Sequence, residues 1–244
     1  MSQMRIPGSE GLQFEITSDV RQPFGTIMEM PDGQEFVYAR AGALDLAIAR
    51  VMQESVVVSG HETALAVYQT TAIGATEVKL TNATTAMTKD MYAGGTIFIK
   101  DGQCLKIKSH PAEATGSGTV VMTLEEGSAL KVALTTASRV GLRKHKCDGV
   151  LIAPISFTGV VAGVTVCAVT ALYCCWLLTK GRGSVLTNGT LVLGRAVNRS
   201  ETTPGAVDVY PLNSVDTSGQ QPMLGFVETV GATAEYSLVN FNIQ

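Results

Sequence analysis

The sequence predicts a mainly β protein: an antiparallel β-sandwich or one or more barrels, with an extended N-terminal arm and at most one or two short helices. Three observations support this prediction. Apolar and polar residues alternate in many short runs, glycine-containing turns separate the runs, and the apolar stretches are rich in Val, Ile and Thr. Because alternation with a period of two puts apolar side chains on one face of a strand, these runs indicate half-buried sheets.

The longest uncharged stretch, residues 149–179, is long enough to be considered as a membrane-spanning helix. Its residue types favour strands instead, since Val, Ile, Thr and aromatic side chains suit a pleated surface. Pro154, Gly159 and Gly163 interrupt it at strand-like intervals. The flanks also lack the Lys/Arg asymmetry of a membrane anchor. We therefore predict two or three core strands of a soluble protein, with no membrane partner.

Composition limits the class of protein further. The chain has 244 residues, a formal net charge of -3 and only 16% charged residues. This length allows one large β-domain or two small ones. Without a net basic balance, nucleic acid is not expected as a partner. The N-terminus has no apolar signal segment, so nothing marks the chain for secretion.

Residues 1–25 are predicted to form the extended arm, because closely spaced prolines and glycines prevent a long regular element. Only residues 13–17 alternate like a short strand. Such an arm is either disordered or held by addition to the sheet edge of a neighbour. Next, Pro31-Asp32-Gly33 predicts a hairpin turn, with Phe36 and Tyr38 on one face of the returning strand.

The remaining chain is predicted to form two β-rich regions, 26–111 and 119–244, which are either separate or one continuous domain. The loop 112–118 between them is the candidate boundary, and the second region contains the apolar run. Residues 39–54 fit either an Ala-rich helix or alternating strand residues. A hairpin is predicted over 96–108, turns at 180–183 and 188–189, and further strands at 56–58, 77–81, 119–124, 129–134, 225–230 and 235–242.

Residues 141–149 form the one basic cluster. It fits either a contact with an acidic or phosphate-bearing partner, or a solvated hairpin loop that closes on Asp148-Gly149. We favour the loop, because charge runs are usually solvated.

No catalytic or cofactor motif emerges from the sequence. The five cysteines, at 104, 147, 167, 174 and 175, lack the spacing of a metal site, and Cys174 and Cys175 would point to opposite faces of a strand. There is no nucleophile elbow and no phosphate-binding glycine loop, and residues 181–184 suggest only a tight turn. His110 before Pro111 is interpreted as an exposed turn residue. We expect a non-enzymatic protein without cofactor or metal.

Several weak motifs, taken in order, resemble a family of tailed-bacteriophage virion proteins encoded near the major capsid protein. They cover nearly the whole chain after residue 26. These motifs are Asp32-Gly33-x-x-Phe36-x-Tyr38 with 39–52, then 72–78, 92–95 through 107–111, 132–136, Tyr173-x-x-Trp176-Leu177-x-Thr179-x-Gly181, 204–207, Gly225-Phe226 and 235–243.

The resemblance implies a structural virion protein that decorates and cements the outer surface of a capsid, as a homotrimer at local threefold positions. The expected partners are then the major capsid protein and further copies of this chain, and the expected location is the capsid surface. Our contact hypothesis combines the arm with the basic loop, through Arg5, Phe14, Ile16, Arg21, Phe24, Arg143, Lys144 and Lys146. The alternatives are a tail, fibre or host-binding module and, less expected, a cryptic hydrolase.

Overall fold

The computed structural model describes residues 4–63, 65–82, 85–100, 102–114, 118–210, 222–231 and 235–243. The mainly β prediction is confirmed, and one 3-10 turn, Leu12–Phe14, is the only helical element in these ranges. The strands in chain order are β1 (Arg5–Pro7), β2 (Ile27–Glu29), β3 (Glu35–Ala41), β4 (Val51–Gln53), β5 (Leu65–Val67), β6 (Glu77–Thr81), β7 (Thr96–Ile99), β8 (Cys104–Ser109), β9 (Thr119–Leu124), β10 (Arg139–Arg143), β11 (Asp148–Ile152), β12 (Val161–Thr165), β13 (Cys174–Leu186), β14 (Ala196–Arg199), β15 (Val207–Val209), β16 (Gly225–Thr229) and β17 (Tyr236–Asn242).

The chain divides into two compact units at places that differ from the predicted boundary. Unit 1 comprises Met1–Ser55 and Lys146–Gln244, and unit 2 is the intervening Val56–His145. The loop 112–118, of which 115–117 lie outside the described residues, connects β8 to β9 inside unit 2. These two strands pair with each other, so the loop connects neighbouring strands of one sheet and is not a boundary between domains.

Unit 2 is a closed six-stranded barrel with the strand order β10-β5-β6-β9-β8-β7. The predicted hairpin over 96–108 is confirmed as the antiparallel pair β7 and β8. Alternate residues of β9, namely Val120, Met122 and Leu124, are buried in the barrel, as the alternating sequence requires. The barrel therefore has an apolar core and no free sheet edge.

Two predicted strands of unit 2 are absent. Residues 56–58 and 129–134 have no regular strand structure. Leu130 and Leu134 are nevertheless fully buried, because isolated backbone hydrogen bonds to Ala75 and Thr71 hold their loop over the core. Alternating apolar residues thus report burial here without a strand.

Unit 1 contains an eleven-stranded sheet that partly closes on itself. Its order is β1-β2-β3-β11-β4-β12-β13-β17-β16-β14-β15, and β3 also pairs with β13. That extra pairing closes a ring of β3, β11, β4, β12 and β13. Small side chains fill the ring, since a barrel of few strands has little room inside; they include Ala39, Ala41, Ala162 and Cys175.

The apolar run 149–179 forms most of β11, all of β12 and the first half of β13, which confirms the prediction of core strands. No helix among the described residues is long and apolar enough to span a bilayer. The run is not wholly internal, because Ile155, Phe157 and Val160 on the loop between β11 and β12 are exposed. The buried Arg199 supports this loop, donating hydrogen bonds to the carbonyls of Pro154 and Ser156.

Residues 39–54 form the end of β3, a loop and β4, and no helix. The loop is fixed by the bridge between Leu46 and Val169, which buries Leu46. Leu44 and Ile48, which would continue a helical stripe, are exposed instead. The bridge to Val169 therefore holds this part of residues 39–54 in an extended loop, and the helix that the sequence also allowed does not form.

Three further local predictions are wrong. Residues 13–17 contain the 3-10 turn where a strand was expected, although Thr17 makes one bridge to Cys174. Residues 180–183 continue β13 and pair with β17 without a change of register, and the irregularity of this strand lies just before them, between Leu178 and Lys180. The basic cluster closes no hairpin: β10 pairs with β5 and β7, whereas β11 pairs with β3 and β4.

Candidate partner-binding site

Exposed large apolar side chains are concentrated in unit 1. Among the described residues, those of unit 2 are Val56, Val57, Tyr68, Ile73 and Val132. Those of unit 1 are Met4, Leu12, Phe14, Ile16, Val20, Leu44, Ile48, Ile155, Phe157, Val160, Leu172, Tyr173, Val192, Leu193, Met223, Phe226, Val230 and Tyr236. Three of them, Phe14, Ile48 and Tyr236, line one cleft, and an exposed apolar site of this kind marks an interaction surface on folded proteins.

The N-terminal arm contributes to this surface while it is held on its own subunit. β1 adds to β2 in parallel, which makes β1 the edge of the sheet. The Tyr38 hydroxyl holds the next part of the arm, accepting a hydrogen bond from the Arg21 amide at 3.1 Å. Tyr38 itself is fixed against Trp176, with the ring centroids 4.9 Å apart. The arm can therefore present side chains from a defined position.

Beside the arm lies a cleft of about 400 Å³, which we call the β13 cleft. Its walls come from the arm, the β2–β3 turn, the loop before β4, the end of β12, and β13 with β17. The lining residues are Gln13, Phe14, Gln34, Phe36, Ile48, Ala49, Thr165, Val166, Arg182, Gly183, Ser184 and Tyr236. This volume falls within the range of about 300–1,000 Å³ that is usual for ligand pockets.

The cleft combines apolar walls with uncommitted neutral polar groups. Phe14 and Tyr236 are each 51% exposed, and Phe36 at the floor is buried. Among the described residues, the Gln34 and Tyr236 side chains make no hydrogen bond, so their polar groups are available to a ligand.

The charges near the cleft are neutralised within the subunit. Arg182 Nε lies 2.7 Å from Glu228 Oε2. Lys180 Nζ lies 3.0 Å from Glu35 Oε1, and the hydrogen bond from Lys180, with the nearby Arg5, lowers the pKa of Glu35. An apolar or uncharged partner segment therefore suits the cleft better than a strongly charged one.

The structure places the arm residues of the contact hypothesis in different environments. Phe14 lines the cleft, and Ile16, two residues further along the arm, is exposed. Arg5 pairs with Glu29 and Glu35, and Arg21 pairs with Glu15. Phe24 is partly buried against Tyr38, with the Arg40 guanidinium 5.2 Å from its ring centroid.

The basic residues of the hypothesis do not form one loop on one unit. Arg143 ends β10 and, with Lys144, belongs to unit 2, while Lys146 begins the second segment of unit 1. All three are only partly exposed, and Arg143 and Lys146 have interaction partners. The cluster is the connection between the units.

The cysteines behave as small core residues where they are buried, and all five are free thiols. Cys174 and Cys175 enter two different core clusters, which confirms that they point to opposite faces of β13. Burial raises the pKa of Cys175 to about 12 and that of Cys147 to about 11. Among the described residues, no group of His, Cys, Asp and Glu is arranged to hold a metal ion.

Unit 2 contains a buried polar network that the sequence did not reveal. His61 Nε2 lies 3.0 Å from the Thr85 carbonyl and must donate to it, so His61 Nδ1 accepts from the Tyr92 hydroxyl at 2.6 Å. His110 is buried, contrary to expectation, and its Nε2 accepts the Tyr92 amide hydrogen at 3.0 Å. The network joins three segments of the barrel and is satisfied internally.

Sequence reasoning singled out Phe14 of the β13 cleft and the exposed Ile16 nearby in the arm, but it missed the other residues of the cleft. The sequence signal for the β13 part of the cleft was the pair Gly181 and Gly183 around Arg182, but this segment was interpreted as a turn. No family model, no curated protein and no solved structure matches the chain.

Proposed function

We propose that this chain is a non-enzymatic virion protein that binds the outside of a tailed-phage head and stabilises it, as a homotrimer. The observation that supports this best is the larger number of exposed apolar side chains on unit 1, which include those of the arm and of the β13 cleft. The resemblance in the order of sequence motifs supports the same proposal.

The arrangement suits a protein whose task is attachment. The partner surface is built on an extensive sheet and on an arm that is fixed by Tyr38, so little order has to be gained on binding. A trimer would present three such surfaces, and trivalent attachment raises avidity without strong individual contacts.

The test uses heads that lack this protein, from the phage that encodes it. We expect the wild-type chain to cosediment with these heads, to saturate at a fixed stoichiometry and to raise the temperature at which they release DNA. We also expect a native mass of three 25.6 kDa chains. Ile48→Ser, at the cleft, should weaken binding, whereas the matched change Ile73→Ser on unit 2 should not.

Failure of the wild-type chain to bind heads would overturn the proposal. Immunogold labelling of the tail of the intact particle, with no labelling of the head, would favour the tail or fibre alternative. A monomeric native mass at micromolar concentration would remove the trimer alone.

A further inference from the structure

The β13 cleft borders a stretch of strand that lacks a neighbour on one side. β13 runs beside β3 as far as Lys180, which pairs with Glu35. From Lys180 to Leu186 it pairs with β17 on its other side. No described residue pairs with positions 181–185 on the side that β3 has left. The gap ends at Leu186, whose amide donates to the Ala49 carbonyl at 2.9 Å.

The direction of the backbone groups in this gap follows from the hydrogen bonds at its ends. The Thr179 carbonyl accepts from Ile243, and the Thr187 amide donates to Glu235, so odd-numbered residues face β17. The Leu186 amide faces the opposite side. Because successive residues of a strand alternate, the amides and carbonyls of Arg182 and Ser184 point into the gap.

These backbone groups open into a space of suitable size and character. Arg182 and Ser184 both line the β13 cleft, together with apolar side chains of Phe14, Ile48 and Val166. From Lys180 to Leu186 the strand extends about 20 Å at roughly 3.3 Å per residue. This length accommodates an extended segment of about four residues between Gln34 and Ala49.

The two ends of the sheet are poorer places for such an addition. β1 and β15 are three residues long, and β1 contains Pro7, which has no amide hydrogen. Short edge strands and proline are devices that prevent strand addition. The gap along β13 has neither feature, since positions 181–185 contain no proline and belong to a strand of 13 residues.

We infer that the β13 cleft is a strand-addition site, which takes an extended, uncharged and partly apolar peptide segment of the partner protein. The backbone of that segment bonds to Arg182 and Ser184, and its apolar side chains pack on Phe14, Ile48 and Val166. Main-chain bonds supply affinity in this mode of recognition, and the side-chain contacts supply selectivity. Identification of the partner as the capsid subunit rests on the proposed function.

The decisive variant is Ser184→Pro, which removes an amide hydrogen that has no partner among the described residues. Bonds from Gly183 and Val185 to β17 remain, so the variant should fold with an unchanged circular dichroism spectrum. It should bind decoration-free heads at least about 10-fold more weakly than wild type. Ser184→Ala is the matched control, because it keeps the amide and should bind like wild type or within about 2-fold of it.

The outcomes separate this inference from the proposed function. If wild type binds heads and Ser184→Pro binds equally well, the strand-addition site is wrong and the function stands. If Ser184→Pro fails to fold, hydrogen exchange of wild type decides, since the Arg182 and Ser184 amides must become protected on the heads.

If wild type does not bind heads, the proposed function is wrong, and a displayed library of random linear 12-residue peptides tests the site directly. Peptides that bind wild type and Ser184→Ala but not Ser184→Pro would support the strand-addition site. An empty selection, or peptides that ignore the proline, would overturn it.

Discussion

The two units differ in how completely their sheets close. Unit 2 closes six strands into a barrel, so consecutive residues such as Leu80 and Thr81 find partners on both sides of their strand. Unit 1 closes only five of its strands, and no described residue pairs with one side of β13 between Lys180 and Leu186. Closure removes the template for strand addition, whereas partial closure keeps one.

The side chains follow the same division. The barrel buries its apolar residues and even two histidines, and few large apolar side chains remain exposed on it. Unit 1 exposes many, several of them around the uncovered part of β13. The closed barrel has the features of a stable body, and unit 1, which retains an unpaired strand side and more exposed apolar residues, is the one we propose for binding.

The largest difference should appear in amide hydrogen exchange of the free protein. In unit 2, Leu80 and Thr81 should both exchange slowly, because each faces a paired neighbour. In β13, Gly183 and Val185 should be protected, whereas Arg182 and Ser184 should exchange about 100-fold faster or more. Residue-resolved NMR measures this pattern. Equal protection along β13 would show that the gap is covered.

Removal of one hydroxyl tests whether the barrel depends on its buried polar network. Tyr92→Phe should lower the free energy of unfolding by about 1–3 kcal/mol, because it leaves His61 Nδ1 buried without a donor. The control, Tyr68→Phe, alters a half-exposed side chain and should change stability by less than about 0.5 kcal/mol. Urea denaturation measures both, and equal effects would contradict the role of the network.

The smallest effect concerns the ion pair at the start of the gap. The pKa of Glu35 is lowered, so its ionised form stabilises the fold above the ordinary carboxyl value of 4.5, and this stabilisation is lost as the pH falls below that value. Lys180→Met should cost at most about 0.5 kcal/mol at pH 7, since Lys180 is 55% exposed.

The difference between Lys180→Met and wild type should shrink as the pH falls from 5 toward 3, since Glu35 is then protonated in both proteins. The control is Lys100→Met, since Lys100 of unit 2 has no carboxylate partner among the described residues, and it should show no such convergence. Thermal denaturation at each pH follows the comparison. A constant difference across this range would show that the pair does not act through the Glu35 charge.

Much of the β structure could be predicted because it depends on local patterns. Alternation placed β6, β9, β16 and β17, and the Pro-Asp-Gly turn placed the β2–β3 hairpin. Prediction failed where the same pattern serves two structures. Residues 129–134 alternate, but isolated bonds bury only Leu130 and Leu134 and leave Val132 exposed. Residues 180–183 contain two glycines, which permit either a turn or a continued strand.

The candidate site was predictable only in part for a similar reason. Phe14 and Ile16 could be singled out because large apolar residues in a Pro- and Gly-rich arm have no local partner to cover them. The unpaired amides of Arg182 and Ser184 could not be predicted, because the residue types of a strand do not reveal how many neighbouring strands it has.

By itself, the sequence determined the class of structure, the strand character of residues 149–179 and the opposite directions of Cys174 and Cys175, because these depend on spacing along the chain. Tertiary structure alone decided which strands are neighbours, where the two units divide and which side of β13 stays uncovered. These features depend on pairing between segments far apart in sequence. The proposed binding site is a product of that pairing, since it lies where β3 leaves β13 and no other described strand takes its place.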